Sequence, residues 1–85
     1  MGSVFIVYVL YSPFFDTIYI GYTSDLDRRL KSHNELATKG WTIKFRPWKL
    51  IHKEIFDSKA NAMQREKQLK SATGRNWIRA LIKEL

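Results

Sequence analysis

From Val4 to Tyr11 the chain reads Val-Phe-Ile-Val-Tyr-Val-Leu-Tyr, an unbroken apolar and aromatic run. Polar residues do not alternate with it, so it predicts a buried strand. Ser12-Pro13-Phe14-Phe15-Asp16 breaks the run with turn residues, and Thr17–Tyr22 resumes as a second strand. A connection of that length predicts an antiparallel hairpin. Gly21, late in the second strand, marks a close backbone approach or a bulge. Ser24 is the expected cap of a first helix running to about Leu36. Asp27 follows three residues later in a variant of the capping box, and Asp25 and Asp27 suit the positive helix start. Leu26, Leu30 and Ala37 form its inward stripe. Gly40 closes this region, and Trp41 to Pro47 reads as an irregular basic loop. Trp48–Phe56 predicts a third strand. Asp57 or Ser58 caps a second helix that continues to about Ser71, with Ala62, Met63 and Leu69 on its buried side. Thr73-Gly74 ends it, and Arg75–Leu85 forms a third helix that buries Trp77, Ile78, Leu81 and Ile82.

The order ββαβαα predicts an α+β fold, a small three-stranded antiparallel sheet flanked by three helices. Eighty-five residues give room for one domain, 1–85, and exclude a multidomain enzyme or a doubly wound dinucleotide fold. With 45% hydrophobic and 14% aromatic residues the chain is not disordered. The absence of cysteine excludes disulfides and thiolate metal sites. No apolar run approaches the roughly 20 residues of a membrane span. The run Val4–Tyr11 also lacks the basic start and small-residue cleavage site of a signal peptide. A soluble, cytoplasmic protein without a membrane partner is the expectation.

Charge changes the picture more. Lys and Arg number 15 against 8 Asp and Glu, for a net +7, which points to an anionic partner such as nucleic acid or an acidic membrane face. Lys39, Lys44, Arg46, Lys49 and Lys53 follow one another with no acid among them, and Arg65, Lys67, Lys70, Arg75 and Arg79 make a second cluster.

Several polar or aromatic residues sit where a core would be expected. Arg29 and His33, four apart, share a helix face at or beside the inward stripe. A snorkelling arginine and a locally bonded histidine would explain them as well as catalysis would. Glu66 points the same way as Ala62 and Leu69. It reads either as a salt bridge to Lys70 or as a metal ligand. Tyr8 and Tyr19 can stand side by side across the hairpin, an arrangement that packing alone also explains. Trp41 and Trp48 flank the basic loop and could anchor the core or stack on bases. His52 reads as a surface residue.

Taken in order, Tyr8, Tyr19-Ile20-Gly21, Arg29, His33 and Glu66 resemble the GIY-YIG endonuclease superfamily. The likeness is to small single-domain bacterial members related to excision-repair and intron-encoded nuclease domains. Ile6-Val7-Tyr8 stands at the first motif, with Ile6 where its name has glycine, and Tyr19-Ile20-Gly21 stands at the second. The stretches Tyr19–Leu30 and Ala62–Lys70 carry most of the likeness, which covers about residues 4–80. The resemblance implies a DNA endonuclease that acts in repair or recombination. In it, Tyr8 and Tyr19 sit at the scissile phosphate, one as general base or water positioner. Arg29 stabilises the phosphorane, His33 assists proton transfer or holds a tyrosine, and Glu66 binds one divalent metal, Mg²⁺, which Mn²⁺ could replace. Asn76 is a weak match to a later polar residue of some members.

The composition agrees with a one-metal scheme, because Glu66 is the one carboxylate read as facing inward, while the others read as turn, cap or surface residues. Tyrosine is only about 0.1% ionised at pH 7. Arg29 and the metal are expected to lower that pKa, so that activity rises through about pH 7–9. Lys39, Lys44, Arg46 and Lys70 are the expected DNA contacts. The alternatives are a non-catalytic nucleic-acid-binding module of the same fold, or an interaction domain whose charge is incidental. So small a domain has little room for a separate sequence reader, which leaves specificity to DNA structure or to a protein partner.

Overall fold

The structure is a computed structural model and describes residues 4–85. Strands β1 (Phe5–Ser12), β2 (Thr17–Thr23) and β3 (Lys49–Phe56) form one sheet in the order β2-β1-β3, both pairings antiparallel. Helix α1 (Leu26–Lys31) follows the hairpin and widens into a π-type turn, Ser32–Leu36. A short 3₁₀ turn, Trp41–Phe45, leads to β3. Helices α2 (Lys59–Lys70) and α3 (Ala72–Lys83) complete the chain. The expected order and fold class hold.

β1 is apolar and aromatic from Phe5 to Tyr11 because it is the central strand with both faces covered. Val7 and Val9 join Ile18, Ile20, Ala62, Leu69 and Ile78 beneath α2 and α3. Tyr8 and Leu10 join Leu26 and Trp48 on the opposite face, beneath α1 and the 3₁₀ turn. Ile6 pairs regularly with Thr23 and Ile55, so the departure from glycine in the first motif is absorbed by ordinary strand geometry.

Five local expectations change. Asp25, not Ser24, caps α1: its carboxylate accepts from the Arg28 amide at 3.2 Å, and Thr23 Oγ1 accepts from the Asp25 amide at 3.1 Å. The basic loop contains a helical turn. Ser71 both ends α2 and starts α3. Its hydroxyl donates to the Gln68 carbonyl at 2.6 Å and accepts from the Gly74 amide at 3.2 Å. Gly74 therefore lies in the first turn of α3, pressed so close to α2 that a Cβ there would stand 2.4 Å from the Gln68 oxygen. Met63 is 47% and Trp77 44% exposed, whereas the inward stripe of α2 runs Ala62, Arg65, Glu66, Leu69. Trp77 instead leans on half-buried His52, whose Nε2 lies 2.8 Å from Glu54. His52 is thus part of a packed polar network rather than a solvated surface residue.

Candidate active site

Tyr8 faces the α1 layer and pairs across the hairpin with Gly21, while Tyr19 pairs with Leu10 two places along. The two tyrosines are thus diagonal neighbours on one face, ring centroids 6.1 Å apart. Gly21 is what allows this. A Cβ at Gly21 would lie 2.7 Å from Tyr8 Oη and 3.1 Å from Tyr19 Cε1. The glycine of the second motif is the floor on which the first tyrosine rests.

His33 belongs to the π-type turn, which rotates it inward until it is buried. Its Nε2 lies 3.1 Å from Tyr8 Oη, and its Nδ1 lies 3.1 Å from Thr42 Oγ1. Burial, then the charges of Arg29 and Arg46, hold its pKa below the ordinary histidine value of 6.5. Burial, and next to it the Tyr19 phenol, push Tyr8 well above the usual tyrosine range; Arg29 opposes this without overcoming it. Both groups are therefore neutral at pH 7. Neutral imidazole has one donor and one acceptor, and both hydroxyls can take either role, so one ring nitrogen donates and the other accepts across these two contacts. Among the protein's own groups, Arg29 acts on Tyr8 in the expected direction, but burial is the larger effect.

Arg29 projects from α1 into the same cleft, exposed, and Glu66 enters it from α2. The cleft has a volume of about 400 Å³, and Tyr8, Tyr19, Gly21, Arg29, Lys59 and Glu66 are among the residues lining it. The Glu66 side chain is 21% exposed, and its Oε1 lies 3.4 Å from Lys70 Nζ. Glu66 thus pairs with Lys70, as one of its two readings expects, and its side chain also faces the cleft. A half-buried carboxylate oxygen suits a hard cation such as Mg²⁺, which keeps several waters and needs few protein ligands. Among the described residues no group of three or more His, Cys, Asp or Glu stands together. Glu66 would then be the protein's main ligand, with water and substrate oxygens supplying the rest.

The expected DNA contacts divide. Lys39 and Lys44 are exposed, and Lys70 sits beside Glu66. Arg46 is not available in the same way. Its guanidinium donates to the carbonyls of His33, Ser32 and Ala37, closing the π-type turn whose regular helical bonds are missing. Asn76 lies exposed on α3, and the cleft does not include it. Sequence reasoning missed Lys59 and Thr42. Lys59 was findable, since it lies two helical turns before Glu66 on the same face. Thr42 carried no signal, being a tertiary partner from a turn. A larger groove, about 810 Å³, runs between α2 and α3 along Trp77. Its charged lining is Arg65, already bonded to Glu54 at 2.9 Å, and Lys67, so it gathers no convergent chemistry.

Residues 4–79 match the family model described as the GIY-YIG catalytic domain. A UPF0213 protein of Bacillus velezensis is 45% identical over 58 residues, 68% of this chain but only 59% of that protein's length. One from Natronomonas pharaonis is 45% identical over 65 residues, covering 76% of this chain and 75% of that protein. The solution NMR structure of a UPF0213 protein from Bacillus halodurans is similar with a TM-score of 0.55 at 31% identity, covering 92% of this chain and 84% of the other. No helix among the described residues is long and apolar enough to cross a membrane.

Proposed function

The chain belongs to the GIY-YIG catalytic domain family, and from that premise we propose that it is a metal-dependent endonuclease hydrolysing DNA phosphodiester bonds, with a role in repair or recombination. The supporting observation is that one cleft receives Tyr8, Tyr19, Arg29 and Glu66 from four different elements, with His33 bonded to the buried side of Tyr8.

In this reading a water oxygen attacks phosphorus while its proton passes to Tyr8 Oη, and the Tyr8 proton passes along the existing bond to His33 Nε2. That route needs no preformed phenolate, which burial disfavours. In this scheme the Thr42 hydroxyl, 3.1 Å from Nδ1, accepts from Nδ1–H, which leaves Nε2 to accept the Tyr8 proton. Tyr19, nearer the cleft mouth, positions the water. Arg29, with Lys59 beside it, neutralises charge growing on the phosphoryl oxygens. The P–O bond to the leaving strand breaks, and that oxygen takes a proton from solvent. A Mg²⁺ held at Glu66, or Mn²⁺ in its place, would supply Lewis-acid stabilisation of the phosphate.

The first test is cleavage of a labelled panel of single-stranded, duplex, nicked, flapped and branched DNAs in Mg²⁺, Mn²⁺ or EDTA. Cutting that requires the metal supports the reading. Salt-sensitive binding with no cutting would favour the non-catalytic module, a reading to which the Glu66–Lys70 pair lends some support. Two further outcomes are expected. The rate should have an acid limb below pH 6.5, where His33 becomes protonated and can no longer accept from Tyr8, and should be flat from about pH 7 to 9. A rise across the alkaline range would instead implicate a preformed phenolate. Gly21→Ala should displace the Tyr8 ring and cut the rate by about 10²-fold, as for misplacements near 1 Å. A thermal melt alongside it checks that any overpacking cost stays near the usual range of about 1–3 kcal/mol.

A further inference from the structure

Next to Tyr19 a chain of rings reaches the surface at Trp41 and Phe15, with Tyr19, Trp41 and Phe45 each within 6.2 Å of buried Trp48. Trp41 lies 6.2 Å from Tyr19 between centroids, Phe45 lies 4.7 Å from Trp41, and Phe15 lies 5.4 Å from Phe45. These rings come from β2, the 3₁₀ turn and the hairpin turn, so no single element's periodicity explains their alignment. Trp41 and Phe15 are each 52% exposed. The anchoring task falls to Trp48, which is 5% exposed and donates its indole N–H to the Thr42 carbonyl at 2.8 Å. One tryptophan of the basic segment thus holds the layer together while the other keeps half its surface in water. Lys39 and Lys44 stand on either side of Trp41 in the chain, both exposed, and neither forms an ion pair among the described residues. No carboxylate occurs between Leu36 and Lys53.

The half-exposed rings of Trp41 and Phe15, backed by partly buried Tyr19 and Phe45 and flanked in the chain by uncompensated Lys39 and Lys44, match the faces of bases strung on a phosphate chain. In a duplex those faces are already stacked on one another and closed to a protein ring, so the match is to unpaired bases. From these features we infer that the strip Tyr19–Trp41–Phe45–Phe15 is a stacking platform for a single-stranded DNA segment adjoining the scissile phosphate. The substrate is then DNA with unpaired bases beside the cut, such as a flap, fork or frayed end. The location of the cut rests on the nuclease reading, but the stacking itself does not depend on catalysis.

The test measures binding in EDTA by fluorescence anisotropy, where cutting plays no part. The probes are a short single strand, the same strand with abasic sites in place of its bases, and a blunt duplex. Wild type should bind the base-bearing strand about 5- to 150-fold more tightly than the abasic one, the range for stacking one base on an aromatic ring. Trp41→Ala should remove most of that preference and Trp41→Tyr should retain it. All three proteins should show the same salt dependence, since their phosphate contacts are unchanged. Equal wild-type affinity for base-bearing and abasic strands would overturn the platform, and that comparison needs no variant to fold. A clear base preference in a protein that cuts no DNA supports the platform and removes the nuclease reading instead.

Discussion

Glu66→Ala should reduce metal-dependent DNA cleavage by about 10³-fold, since a Lewis-acid metal contributes several kcal/mol and each 1.36 kcal/mol is tenfold in rate. Binding of DNA in EDTA should stay the same or tighten, because the change removes a negative charge from a basic cleft. The fold should survive. The Glu66–Lys70 pair is partly exposed, at 21% and 47%, and such pairs contribute about 0–1 kcal/mol. Glu66→Gln keeps the size and loses the charge, so it should be nearly as inactive. Single-turnover cleavage beside anisotropy separates the two effects. If Glu66→Ala cuts within tenfold of wild type, the metal is not held at Glu66 and the one-metal reading fails. If binding and cutting fall together, the residue is serving the fold rather than the reaction.

Arg29→Ala should cost about 10²- to 10³-fold in cleavage rate, the usual loss when a group aimed at developing charge is removed. Arg29 is exposed, and among the described residues its guanidinium forms no ion pair, so its removal should leave the thermal midpoint nearly unchanged. Arg29→Lys keeps the charge but not the two-pronged geometry and should fall between. A second readout is independent of DNA. Arg29 is one of the charges holding the His33 pKa down, so Arg29→Ala should let the His33 resonance titrate at higher pH. Lost cleavage together with that upward movement places the Arg29 charge at the reacting centre. A His33 titration that does not move would put Arg29 too far away to act there.

Much of this site was legible in the chain because its residues sit at positions that regular elements dictate. The hairpin pattern brings Tyr8 and Tyr19 onto one face, and the stripe of α2 turns Glu66 the same way as Ala62 and Leu69. Where reading failed, the deciding contact came from elsewhere in the chain. Arg46 looked like a phosphate contact but is consumed by three carbonyls of a turn that departs from α-helical bonding. Met63 and Trp77 are apolar and were expected inside. The stripe of α2 leaves Met63 outward, and Trp77 on α3 packs its ring edge-on against His52 instead of entering the core. The boundary at Ser71 was displaced because one hydroxyl serves two helix ends at once.

The sequence by itself determined the element order, the double burial of β1, the basic character of the surface, and the set of polar residues that share inward faces. These follow from periodicity and charge, which act locally along a chain. Only the tertiary structure decided that Gly21 floors the Tyr8 ring, that Thr42 orients His33, and that Lys59 joins the cleft. It also decided that Tyr8 is pushed away from phenolate and that Trp41, unlike Trp48, remains exposed. Each of these depends on how much water is excluded and on which distant atoms arrive within about 3 Å, the range of a hydrogen bond. Spacing along the chain carries neither quantity.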